Sequence, residues 1–177
     1  MNAAQMSAGQ MNATQNMLHH WREAVPNDRL AHLVRDAARA FQRALQMRLA
    51  EHGIAFGHWT FLRILWEADG LTQKELSERA GVMEPTTFAA MKAMETQGYI
   101  LRKQLPTNKK NVYVHLSAQG RALKKKLVPL AENSNLVSVA GLTERDLQTT
   151  RKVLLAMIEN LAQDELLANA PKKQMPR

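Results

Sequence analysis

From Tyr99 to Leu127 the chain carries Arg102, Lys103, Lys109, Lys110, Arg121, Lys124, Lys125 and Lys126 and no acidic residue. These eight cations equal the excess of the whole chain, where 24 Lys and Arg face 16 Asp and Glu for a net charge of +8. Charge gathered in this way suits a polyanion, nucleic acid above all. The competing use is a solvated, solubilising face. Other chemistries find no residues to perform them. Without cysteine there is no disulfide, thiolate metal site or thiol nucleophile. No glycine-rich phosphate motif occurs. His19, His20, His32, His52, His58 and His115 lack metal-ligand spacing, and no nucleophile elbow or carboxylate pair accompanies them. The sequence therefore predicts no enzyme, no cofactor and no metal.

The elements that must position these cations follow from the hydrophobic pattern. A chain of 177 residues, 45% apolar, is one compact domain or two small ones. No stretch is long and apolar enough to span a membrane, and the N-terminus does not read as a secretory signal, so a cytoplasmic protein without membrane contact is expected. Residues 1–26 read as a mobile arm, with a short helix around Asn16 to Glu23. Pro26-Asn27-Asp28 is a helix start, capped by Asn27 or Asp28. Leu30, Leu33, Val34, Ala37, Ala38, Phe41, Leu45 and Leu49 then recur at 3/4 spacing to His52-Gly53. Trp59, Leu62, Ile64, Leu65 and Trp66 predict a second, mostly buried helix. Thr72-Gln73-Lys74-Glu75 is a capping box opening a third, which Gly81 breaks. Pro85 stands at the first position of a fourth, ending at Gln97-Gly98.

The period then changes. Tyr99–Gln104 and Val112–Leu116 predict a hairpin around a polar loop, Leu105 to Asn111. Ser117 caps a fifth helix to about Val137. Thr143-Glu144-Arg145-Asp146 caps a sixth, with Leu147, Leu154, Met157, Ile158 and Leu161 as its apolar positions. The fold class is mainly α with a small β-hairpin wing: a winged helix-turn-helix with a helical dimerisation region. Its boundaries are expected at 27–54 and 117–168 for the dimerisation region, 55–116 for the winged region and 169–177 for a basic tail.

Such an order presents the N-terminal side chains of the fourth helix to a major groove. It sets the hairpin against an adjacent minor groove or phosphates. On this reading Gln73, Ser77, Pro85, Thr86, Thr87, Phe88, Ala89 and Lys92 meet double-stranded DNA, with Asn108, Lys109 and Lys110 on the wing. The fourth helix has no Arg, so bidentate guanine contact is unavailable to it; contact with thymine methyls or phosphates remains. Two registers are open. Either Thr87, Ala90, Met91 and Met94 face the core and Phe88 faces outward, or Phe88 packs inward and Thr87 faces out. A winged helix that binds an acidic protein is the rival reading.

At Leu71–Ser77, Gly81-Val82, Met94-Glu95, Gly98-Tyr99-Ile100 and Val114–Gly120 the chain resembles the MarR family of bacterial transcription regulators, from about Asp28 to Leu161. The resemblance implies a homodimer whose first, fifth and sixth helices interlock, one winged lobe per subunit reading half of a palindrome. It favours the register with Phe88 outward. Where the family's wing carries Asp-x-Arg, this chain has Asn108-Lys109-Lys110, and Lys lacks the planar fork of Arg; phosphate anchoring is expected there. The resemblance also implies a small aromatic carboxylate or phenol effector that lowers DNA affinity, hence a repressor. His58, Trp59, Arg35 and Arg39 are the candidates to hold it, a cation for the carboxylate and an apolar wall for the ring. Against this, Trp59 is also a natural core residue, and the arginines can pair with Asp36. A constitutive regulator without a ligand is the alternative.

Overall fold

The computed structural model describes residues 30–105 and 108–169, together with 15, 18 and 19. Of the expected arm only residues 15, 18 and 19 are described, each helical; the helix start at Asn27-Asp28 and the tail beyond Asn169 lie outside the described residues. The chain divides into two compact units, one ending at Ser134 and one beginning at Asn135.

The first unit opens with α1, Leu30–Ala50. Its apolar stripe stays largely open: Leu49 is buried, whereas Leu30, Leu33, Phe41 and Met47 are exposed. Gly53 adopts a left-handed φ of 69° just beyond the helix, as its position implies. Next comes α2, Phe56–Glu67, which buries Trp59, Phe61, Leu62, Ile64 and Leu65. Strand β1, Leu71–Thr72, leads directly into α3, Gln73–Ala80. The capping box is complete: the Glu75 amide donates to the Thr72 hydroxyl at 3.2 Å, and the Thr72 amide donates to the Glu75 carboxylate at 2.7 Å. The Thr72 amide and the Thr72 hydroxyl, both donating to the Glu75 carboxylate, hold it below the usual glutamate range. Gly81 ends α3 in the left-handed region at φ 64°.

Helix α4, Glu84–Thr96, buries Thr87, Met91 and Met94. Glu84 rather than Pro85 takes its first position; Pro85, one residue later, still lies where the helix needs no amide donor. Strands β2, Ile100–Leu105, and β3, Asn108–Leu116, form the hairpin. β1 adds to β3, giving a three-stranded antiparallel sheet in the order β1-β3-β2. The expected loop from Leu105 to Asn111 is therefore corrected. The ladder continues into it, with Leu105 opposite Asn108 and a register irregularity after Gln104. A solvated hairpin admits polar residues in its ladder, so polarity alone does not mark its end.

Helix α5, Ala118–Ser138, runs through Pro129. Its start is fixed against the lobe. The Gly120 amide donates to the Ser117 hydroxyl, and the Trp66 indole N–H donates to the Gly120 carbonyl at 2.9 Å. One core joins Leu49, Ile54, the apolar side of α2, Leu76, Met91, Met94, Ile100, Val114, Leu116 and Leu127.

The second unit holds the end of α5 and α6, Glu144–Ala168. The α6 start is a second complete capping box, Thr143 with Asp146. No residue of α6 is buried, and Val153, Leu154, Leu155, Ile158, Leu161, Leu166 and Leu167 are all exposed.

Candidate nucleic-acid interface

Two short helices meeting at Gly81 present the outer face of α4. The crossing is fixed from inside. The Ser77 hydroxyl donates to the Thr87 hydroxyl at 2.8 Å, and both residues are buried. This settles the register. Thr87 is 0% exposed and Phe88 is 55% exposed, so Phe88 points away from the core. Pro85, Thr86, Ala89 and Lys92 are exposed with it. Ser77 and Thr87 are accordingly corrected: they hold the two helices together rather than offering hydroxyls to a groove. Gln73, at the first position of α3, is half-buried, and its side-chain nitrogen has no hydrogen-bond partner.

Among the described residues an ion pair ties the wing to α4. Arg102 on β2 donates from its Nε to the Glu95 carboxylate at 2.8 Å, and its amide donates to the same group at 3.3 Å. The guanidinium holds the Glu95 carboxyl below the usual glutamate range. A second acid closes the base of the hairpin. Asp69 accepts from the Leu116 amide at 2.8 Å and from Arg121 at 2.9 Å. The segment free of acids in sequence is thus partly neutralised in space, with Arg102 and Arg121 each engaged by an acid from another element. Asn108, Lys109 and Lys110 begin β3, on the hairpin.

The four residues proposed for an effector have different surroundings. Asp36 takes both arginines, Arg35 at 3.0 Å and Arg39 at 3.9 Å. Helix α1 meets the core at Leu45 and Leu49. With a rise of about 1.5 Å per residue, Arg39 lies about 9 Å and Arg35 about 15 Å along the axis from Leu45. The single Asp36 carboxylate balances one of the two arginines, and both side chains stay exposed. Trp59 is 7% exposed and stacks edge-on to Trp66, their centroids 5.7 Å apart. It is a core residue. His58 is half-buried, and its Nδ1 is buried without a partner. Burial pushes its imidazole below the usual histidine range, and a hydrogen bond with the Gln97 side chain partly offsets this. Gln97 caps the C-terminus of α4. It was missed in the sequence, where its only signal is a polar residue preceding the helix-ending Gly98. Among the described residues no group of three or more metal-ligating side chains converges, and no helix is long and apolar enough to cross a membrane.

Three helices, a Gly turn and a paired wing define a winged helix-turn-helix DNA-binding protein. Residues 57–112 match the MarR family. The chain is 32% identical over 152 residues to the HTH-type transcriptional regulator TtmR of Methylorubrum extorquens (strain PA1), covering 85% of this chain and 73% of that one. It therefore belongs to the MarR family of DNA-binding transcription regulators. Its fold superposes with a TM-score of 0.67 on a MarR family regulator from Listeria monocytogenes crystallised with a 26mer DNA, at 27% identity, covering 85% of this chain and 99% of that one. Bordetella bronchiseptica BpsR, whose DNA binding is regulated by 6-hydroxynicotinic acid, shares the fold at a TM-score of 0.67 and 18% identity, covering 73% and 98% of the two chains.

Proposed function

We propose that the protein is a homodimeric repressor that reads a palindromic operator and is released from it by a small aromatic acid or phenol. The observation that carries the dimer is the open apolar surface. Leu30, Leu33 and Phe41 on α1, and Val153, Leu154, Leu155, Ile158 and Leu161 on α6, are exposed in one chain. Burying a side chain of this size is worth roughly 1.5–3 kcal/mol, so two such faces favour association strongly. The dimerisation region is assigned to residues 27–54 and 117–168, the winged region to 55–116. Pro85, Thr86, Phe88, Ala89 and Lys92 are assigned to the major groove, and Asn108, Lys109 and Lys110 to the phosphates.

The effector reading rests on His58. Its buried Nδ1 lacks a partner, and its ring is bonded to Gln97 at the end of α4. A ligand that takes this imidazole acts on the helix that meets DNA, and so opposes one spacing of the two recognition helices. That BpsR responds to an aromatic hydroxy acid supports the ligand class. The engagement of Arg35 and Arg39 by Asp36 favours the second reading, a constitutive regulator with no ligand.

A panel of aromatic carboxylates and phenols, titrated into the operator complex, tests the two. The first reading expects one member to weaken DNA binding by about 5- to 150-fold, and His58→Ala to abolish that response without abolishing operator binding. No response across the panel selects the second.

A further inference from the structure

The first two turns of α4 and the residue before them, Met83 to Met91, contain no Arg, Lys, Asn or Gln. Every side chain able to make a bidentate bond to a purine is therefore absent from the part of the helix that would enter the groove. What faces outward there is mostly apolar, beside Glu84 and the single hydroxyl of Thr86. Phe88 is 55% exposed. Met83, the residue that precedes the helix and offers it no side-chain cap, is 77% exposed. Pro85, Phe88, Ala89 and Lys92 fall at 3/4 spacing on one exposed face. Glu84 in the first turn opposes phosphate approach to the helix N-terminus. The charge that holds DNA must then come from elsewhere, and the helix is left to select bases by shape.

Only one base edge in the major groove offers an apolar group, the C5-methyl of thymine. We infer that Phe88 and Met83 read thymine methyl groups, and that sequence preference in this protein is set by methyl contact rather than by hydrogen bonding to purines. The rival occupant of the same surface is cytosine, whose N4 amino group could donate to the Glu84 carboxylate. The inference rests on the proposed reading of α4 as the base-contacting helix.

The test uses the full-length protein and a randomised duplex pool, from which bound sites are selected. Each thymine of the enriched duplex is then replaced singly by deoxyuridine, which removes the methyl and leaves every hydrogen-bonding group in place. Loss of one buried methyl should weaken binding about fourfold, and loss of two about 15-fold. Phe88→Ala should bind thymine and deoxyuridine duplexes alike at one position, Met83→Ala at another, while Phe88→Leu keeps the preference. Phe88 and Met83 are exposed, so thermal melting of each variant should match the parent. Equal binding of all deoxyuridine duplexes, or a thymine preference that survives both alanine substitutions, overturns the inference and leaves the DNA-binding reading intact. A pool that enriches no sequence overturns the base-contacting role of α4 and the inference together.

Discussion

The Ser77 hydroxyl donates a 2.8 Å hydrogen bond to the Thr87 hydroxyl in the closed seam between α3 and α4. Ser77 Oγ also lies 3.1 Å from the Gln73 carbonyl of its own helix, and when its single hydrogen turns there the Thr87 hydroxyl donates to Ser77 instead. With Thr87 held inward, the next residue along the helix must turn outward, and that residue is Phe88. Thr87→Val keeps the shape and deletes the hydroxyl. It should cost about 1 kcal/mol of stability, read by denaturant unfolding, while operator affinity of the folded protein stays within about threefold, well short of the 1.4 kcal/mol of a tenfold change. Phe88→Ala should do the reverse, sparing stability and weakening the operator. A variant pair that behaves the other way round would show that Thr87 reaches DNA.

The Glu95–Arg102 pair fixes the wing to the end of α4, and its effect depends on pH in a definite direction. Arg102 lowers the carboxyl below its ordinary value of 4.5. A lowered folded-state value means that the pair stabilises above the ordinary value and that this contribution fades as pH falls through the lower, folded one. Glu95→Gln should therefore be less stable than the parent near neutrality, by up to about 1 kcal/mol for a partly exposed pair. The difference should close in acid below pH 4.5. Melting curves of both proteins across that range measure it; a gap that widens in acid would assign Glu95 another partner.

The wing and the recognition helix should divide the work of binding. A dimer contacting about 6–10 phosphates loses roughly 10³–10⁵ in affinity between about 50 and 200 mM salt. Lys109→Ala and Lys110→Ala should weaken operator and scrambled duplexes nearly equally and flatten that slope by about one unit per contact. Thr86→Ala and Phe88→Ala should change the preference among operator variants instead. Binding isotherms at several salt concentrations separate the two outcomes, and a wing substitution that alters sequence preference would reverse the assignment.

Gly120 packs closely between α5 and the hairpin base. A Cβ added there would lie 2.0 Å from the Tyr99 carbonyl oxygen. Backbone, not a flexible side chain, stands in the way. Gly120→Ala should cost about 1–3 kcal/mol or more through overpacking, lowering Tm by about 2–4 °C for each kcal/mol in a chain of this size. An unchanged Tm would mean that α5 starts elsewhere.

A chain without cysteine has no thiol switch. Low peroxide should leave its operator complex intact over the time in which a thiolate would react, and thiol reductants should reverse nothing. Gel-shift assays with and without reductant check this. Rapid, reductant-reversible release would contradict it.

Much of this molecule was legible because its signals are local. Thr72 with Glu75, and Thr143 with Asp146, satisfy helix-end amides within four residues of chain, so their spacing alone marks two helix starts. The buried face of α2 repeats at helical spacing, and Gly81 takes the positive φ its place between two helices requires. β1 is two residues long, too short to leave a pattern, and exists only because Val114 and Tyr113 come to pair with Leu71 and Thr72. The register of α4 was ambiguous in sequence because Thr87 and Phe88 are adjacent and either tolerates a core; a hydroxyl ten residues away, on Ser77, decided it. Likewise the acid-free run from Tyr99 to Leu127 determined that positive charge would gather. Folding brought Glu95 to Arg102 and Asp69 to Arg121, and so determined which cations stay available to a polyanion. Local hydrogen bonding and periodicity are written in neighbours along the chain, whereas ion pairing and burial depend on distances that only the tertiary fold sets.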